Sequence, residues 1–205
     1  LAAGCPVVIT PAASTPYTAT ALVELANRAG VPKGVINLLS VSENNVADVG
    51  DELCTNQDIR KISFTGSTNV GKKLIAKSAT TIKKVSMELG GHAPFIVFED
   101  ANLDEAVTGA MANKYRNSGQ VCVSANRIYV HKNIYDEFAK KLAEKSAALK
   151  VADGREQGAQ IGPLITSAAI EKVVSHVTDA VEKGAKVLTG GAPDNAGKQF
   201  YKPTV

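Results

Sequence analysis

Short apolar runs alternate with helical stretches along this chain, and that alternation leaves few folds open. Val7-Val8-Ile9 reads as a buried strand, and Thr18 to Ala29 as a helix stopped by Gly30 and Pro32. Val35 to Leu39, Lys61 to Phe64 and Val85 to Leu89 read as further strands, separated by helices over Asn45 to Leu53 and Val70 to Ser78. Strands that alternate with helices build an α/β fold, whose parallel strands are joined by right-handed crossovers. The short connections suit a doubly wound, dinucleotide-binding sheet, with ligands expected beyond the carboxyl ends of the strands, near Thr10, Phe64 to Ser67 and Leu89. After Gly90-Gly91 the pattern restarts. Strands are expected at Phe95 to Phe98, Arg127 to Val130 and Lys186 to Thr189, and helices at Leu103 to Asn117, Tyr135 to Leu149 and Ala168 to Lys183. A domain boundary is expected at about Gly90.

Composition removes several classes of function. Hydrophobic residues make up 44% of the 205, which permits packed cores and argues against disorder. The 23 basic and 20 acidic residues leave a net charge of +3 with the signs interspersed, which gives no argument for nucleic-acid or membrane binding. No apolar run is long enough to span a bilayer. Cys5, Cys54 and Cys122 are far apart and odd in number, so no disulfide framework is expected and a reducing, cytoplasmic setting is the simpler reading. His92, His131 and His176 are isolated, so no metal site is expected. The chain opens on Leu1 and ends approaching a strand-like segment, so an internal fragment of a longer polypeptide is expected, with a mitochondrial address left open.

Three motifs carry chemistry. In Asn117-Ser118-Gly119-Gln120-Val121-Cys122, polar residues and a glycine put a thiol on a turn between a helix and a strand. A packing cysteine would sit in an apolar run, whereas a thiol near backbone N–H donors can lose its proton and attack an electrophile. Arg116, six residues upstream, is available to hold an anionic group as a fork. In Met87-Glu88-Leu89-Gly90-Gly91, a carboxylate ends an apolar strand before two glycines; partly desolvated there, it would have a raised pKa and serve as a general base. In Phe64-Thr65-Gly66-Ser67-Thr68-Asn69-Val70-Gly71-Lys72, a strand runs through a glycine turn into a helix whose N-terminal N–H groups suit a phosphate. Gly66, Gly71 and Lys72 also fit the spacing of a P-loop, which makes an NTPase the natural rival. Lys73 argues against it, because the P-loop needs a hydroxyl there for magnesium.

Taken together and in order, FTGSTNVGKK, MELGG and NSGQVCVSANR resemble the aldehyde dehydrogenase superfamily, and the stretch from Met87 to Cys122 looks most like succinate-semialdehyde dehydrogenases. The resemblance runs over essentially the whole chain. It implies a doubly wound parallel sheet of the aldehyde dehydrogenase type, with residues 1–90 as the later part of an NAD(P)-binding domain and residues 91–205 as the early part of a catalytic domain. It implies that Cys122 attacks the aldehyde carbon and that its backbone N–H forms half of an oxyanion hole. Glu88 activates the thiol or the hydrolytic water. Ser67, beside Gly66, contacts the pyrophosphate of NAD or NADP, Leu89 and Gly90 lie along the nicotinamide, and Arg116 pairs with the distal carboxylate of the aldehyde substrate.

The resemblance also implies a homodimer or homotetramer for the whole protein. The asparagine that completes the oxyanion hole and the glutamate that grips the nicotinamide ribose fall outside this chain, so the segment alone is expected to have little activity. An inactive truncated remnant is therefore a third reading. Three positions depart from the family pattern. Thr10 stands where a lysine usually holds the adenosine ribose or 2′-phosphate. Ala13 stands where NAD-preferring members carry a glutamate. Ser124 replaces a second cysteine found in some semialdehyde enzymes, so no disulfide switch is expected there.

Overall fold

Six strands and six helices follow the order the periodicity predicts, save for one expected strand near the end. In a computed structural model that describes residues 1–205, β1 (Val7–Ile9), α1 (Tyr17–Arg28), β2 (Ile36–Leu38), α2 (Val46–Thr55), β3 (Lys61–Thr65), α3 (Thr68–Ser78) and β4 (Lys84–Glu88) come first. They are followed by β5 (Ala93–Val97), α4 (Leu103–Tyr115), β6 (Ala125–Val130), α5 (Tyr135–Ala147) and α6 (Ser167–Glu182). The chain divides into two compact units, Leu1–Leu89 and Gly90–Val205.

All strand pairing is parallel, as an α/β chain requires. The strands pair in twos, however, instead of forming one wide sheet: β1 with β2, β3 with β4, and β5 with β6. Hydrophobic periodicity marks which segments are strands but carries no information about which edges meet. β1 and β2 are three residues each, and every strand of the first unit keeps one edge without a ladder partner. The strand expected at Lys186 to Thr189 is absent. The backbone of Leu188 and Thr189 exchanges hydrogen bonds with Val205 alone, at 2.8 to 3.3 Å, and one facing residue is too little for a ladder.

In the first unit, β3 and β4 run in register from Lys61↔Lys84 to Thr65↔Glu88. Gly66 N–H extends the ladder by donating to the Glu88 carbonyl at 3.0 Å. Helices α2 and α3 are joined by an ion pair between Lys77 and Asp51. Little is enclosed here: among apolar side chains only Cys54 is fully buried.

The second unit has the core. Phe138 and Leu142 on α5, one turn apart, pack against Val107 and Ala110 of α4 and Val97 of β5. Asn102 starts α4, its side chain accepting from the Glu105 N–H at 3.3 Å, and Asp136 and Glu137 favour the first turn of α5 by complementing its dipole. Truncating Phe138, 2% exposed, to alanine would cost about 3–5 kcal/mol.

Candidate active site

Cys122 lies in the second unit, between the end of α4 and the start of β6, and its side chain is exposed. Helix α4 stops at Tyr115, and a 3₁₀ turn over Arg116–Gly119 follows. Inside that turn Asn117 (φ 51°) and Ser118 (φ 56°) take left-handed backbone, and Gly119 (φ 76°) continues it. Left-handed backbone costs a non-glycine residue about 1–2 kcal/mol, so Asn117 and Ser118 adopt it only because neighbouring bonds over-determine the turn. Asn113, on the last turn of α4, supplies two of them. Its Oδ1 accepts from the Ala125 N–H at 2.6 Å, and its Nδ2 donates to the Val123 carbonyl at 3.4 Å. Asn117 Nδ2 donates to the Gln120 carbonyl at 3.3 Å.

Gly91 makes room for the same turn. A Cβ at Gly91 would stand 2.9 Å from the Cys122 carbonyl oxygen, and Asn126 Nδ2 donates to the Gly91 carbonyl at 3.3 Å. The second glycine of MELGG therefore admits the backbone of the cysteine turn. Asn113 and Asn126 are the residues sequence reasoning missed. Only the close spacing of Asn113, Asn117 and Asn126 around the motif hinted at them.

Arg116 opens the 3₁₀ turn and is exposed, six residues from Cys122. Lys114 is half-buried with its Nζ donating to Asn126 Oδ1 at 2.7 Å, and burial holds its pKa below the usual lysine range. Ser124 is 1% exposed and its hydroxyl has no partner.

In the first unit the ends of β3 and β4 bring Gly66, Ser67, Glu88 and Leu89 together. Ser67 caps α3, its Oγ accepting from the Val70 N–H at 3.3 Å, which leaves the hydroxyl proton free for an anion. Gly66 is not in left-handed backbone. It lacks a side chain because a Cβ would come 3.0 Å from Cε1 of the Phe64 ring. Glu88 is exposed, so the partial desolvation expected of it is not found. Gly90 begins the second unit and is also exposed. Thr10 and Ala13 follow β1, on the other ladder. Ala13 is exposed, whereas Thr10 Oγ1 is buried and unpartnered.

The P-loop alternative lacks its loop. Residues from Thr68 onward are helical, so Gly71 and Lys72 sit in the first turns of α3. Gly71 is buried against Leu89, whose Cδ1 would be 2.9 Å from an added Cβ, which makes it a packing glycine.

Parallel βα units and an open strand–glycine–helix turn define an α/β chain, and its second unit presents an exposed thiol on a constrained turn. The chain belongs to the aldehyde dehydrogenase family, whose model matches residues 1–205. It is 56% identical over 205 residues to a glutarate-semialdehyde dehydrogenase of Pseudomonas putida, covering 100% of this chain and 42% of that protein. It is 53% identical over 205 residues to an Escherichia coli succinate-semialdehyde dehydrogenase named for NADP(+), with the same coverage of 100% and 42%. A crystal structure of succinate-semialdehyde dehydrogenase from Burkholderia pseudomallei matches with a TM-score of 0.95 at 54% identity, over 99% of this chain and 42% of that one. The chain thus spans about two-fifths of the length of these relatives.

Proposed function

We propose that this chain supplies the nucleophile, the base and part of the dinucleotide site of an enzyme that oxidises a carboxylate-bearing short aldehyde, succinate or glutarate semialdehyde, to the acid with NAD or NADP. The observation that carries the reading is Cys122, an exposed thiol on a left-handed turn, in a chain whose whole length matches the family. Residues 1–90 form the later part of the NAD(P)-binding domain in this reading, and residues 91–205 the early part of the catalytic domain.

The chemistry follows from the residues. The Cys122 thiolate adds to the aldehyde carbon, forming a C–S bond, while the carbonyl π pair moves to oxygen and the Cys122 N–H donates to it. The bound dinucleotide supplies the acceptor for the hydride that leaves that carbon, and a thioester remains on Cys122. Glu88 takes a proton from water as the water oxygen attacks the thioester. The C–S bond then breaks, releasing the acid and restoring the thiol.

The first unit fits the dinucleotide in two places. The start of α3 offers free N–H groups and the Ser67 hydroxyl proton to the pyrophosphate, and the orphaned Thr10 hydroxyl lacks a partner that a ribose hydroxyl would supply. Leu89 and Gly90 lie along the nicotinamide. Ala13 neither repels nor attracts a 2′-phosphate, so the residue itself favours neither NAD nor NADP. Arg116 holds the distal carboxylate. The complete enzyme works as a homodimer or homotetramer in the cytoplasm or mitochondrion; no helix here is long and apolar enough to cross a membrane.

Substrate protection tests the reading. Succinate or glutarate semialdehyde should slow iodoacetamide alkylation of Cys122 and leave Cys5 untouched. Arg116→Ala should abolish protection by the semialdehydes while an uncharged aldehyde of the same length protects as before. Equal protection of both thiols, or none, would remove Cys122 from the chemistry.

A further inference from the structure

The sequence motif around Cys122 contains two side chains that the proposed chemistry does not use, Ser118 and Gln120. Both reach across more than forty positions of sequence to one segment. Ser118 Oγ accepts from the Gly162 N–H at 2.9 Å, in a half-buried bond. Gln120 Oε1 accepts from the Ile165 N–H at 2.9 Å, and its Nε2 donates to the Pro163 carbonyl at 3.3 Å. The Gln120 amide thus pairs with a carbonyl and an N–H two residues apart along the segment, the pair of groups a neighbouring strand would engage. The three bonds grip the turn at two points, one of them at a left-handed residue and the other two positions before Cys122.

We propose that Ser118 and Gln120 are positioning residues that clamp the Cys122 turn to the Gly162–Ile165 segment and so fix the direction in which the thiol is presented. The inference rests on Cys122 being the reactive thiol of the proposed function. A turn held by three bonds spends nearly all its time in one geometry. A released turn spends only a fraction of its time there, and the rate of any reaction that needs that geometry falls by the same fraction. Asn113 anchors the far side of the turn from α4, so losing the clamp frees the near side without detaching the whole loop.

Amide hydrogen exchange and site-resolved alkylation on the whole chain test this. In Gln120→Ala, exchange at Ile165 should rise about tenfold, the loss of one hydrogen bond at the net worth of a good one. In Ser118→Ala the same rise should appear at Gly162. In both variants the ratio of Cys122 to Cys5 alkylation should fall about threefold or more, in proportion to the population of the held geometry. The Val107 and Phe138 amides report whether the second unit stays folded. If Gln120→Ala exposes them, Gln120→Glu replaces it, since that variant keeps an acceptor for Ile165, loses the donor to Pro163 and adds a charge that high salt screens. A fall in the ratio with Gln120→Glu that persists in high salt supports the clamp, and an unchanged ratio, or a fall that vanishes in high salt, overturns it. Exchange that rises while the ratio stays constant would make the bonds merely structural, and exchange that does not rise would remove the bonds themselves. A Cys122 no faster than Cys5 before any substitution would overturn the proposed function, and with it the premise of the clamp.

Discussion

Single atoms decide several properties of the site. Gly91 faces the Cys122 carbonyl at a distance no real Cβ tolerates, and the obstacle is backbone that cannot swing aside. Gly91→Ala should therefore cost about 1–3 kcal/mol, read as a lower urea midpoint, and should alter Cys122 alkylation. Gly109 gives the contrast. It lies inside α4, where an added Cβ would meet Phe95 Cζ at an ordinary 3.7 Å, so Gly109→Ala should stabilise the second unit by roughly 0.5–1 kcal/mol. Thr10→Lys should tighten NADP binding by about 1.5 kcal/mol, roughly tenfold, by adding a charged donor; unchanged binding by equilibrium titration would take Thr10 out of the site. Cys122 and Glu88 stand out in the sequence as candidates because each lies at a break in periodicity close to a glycine. The partners of the cysteine turn do not, because Gly162 to Ile165 lie forty positions away and sequence spacing says nothing about who folds back. Glu88 was misjudged in its burial, since the end of a strand marks a direction and not the depth of solvent beyond it.

At the scale of elements, α4 carries the turn, so what holds α4 sets the site. Asn102 caps it, and Asn102→Ala should cost about 1 kcal/mol in a urea melt of the second unit. Across from it, Lys141 on α5 bonds Asp104 at 2.7 Å and Glu137 at 3.2 Å. The hydrogen bond and charge of Lys141 pull the Asp104 pKa below the ordinary 3.8. A depressed carboxylate contributes stability that is complete above its unfolded value and fades as pH falls through the folded one. The contribution is small, since the pair is solvent-exposed. Asp104→Asn should lose that small contribution at neutral pH and converge on the parent chain as pH falls below 3.8, so that its acid limb is flatter; an acid limb identical to that of the parent chain would mean the pair contributes nothing. Element type and order were legible because apolar runs bounded by glycine and proline leave little ambiguity. Pairing was not. Three-residue strands such as β1 and β2 carry too few side chains to specify a neighbour, and Lys186 to Thr189 has strand composition but only Val205 opposite it.

For the whole molecule the accessible surface is 13971 Å². A compact body of 21.4 kDa should expose about 9,000 Å², and two separate halves together about 11,000 Å². The excess holds however the two units are arranged, and large apolar residues contribute to it: Tyr17 is 85% exposed, Ile82 92% and Phe98 67%. Surface of that kind belongs against other polypeptide. The 205-residue chain by itself should bind an apolar fluorescent dye and sediment above 21.4 kDa, and a monomer that ignores the dye would contradict this. Cys5 and Cys122 are both exposed, so exposure alone gives them equal rates, while Cys54 at 0% is an internal zero. Iodoacetamide at neutral pH, followed residue by residue by mass spectrometry, separates the two exposed thiols by local environment alone. The account predicts Cys122 alkylated about tenfold faster than Cys5; equal rates would contradict it.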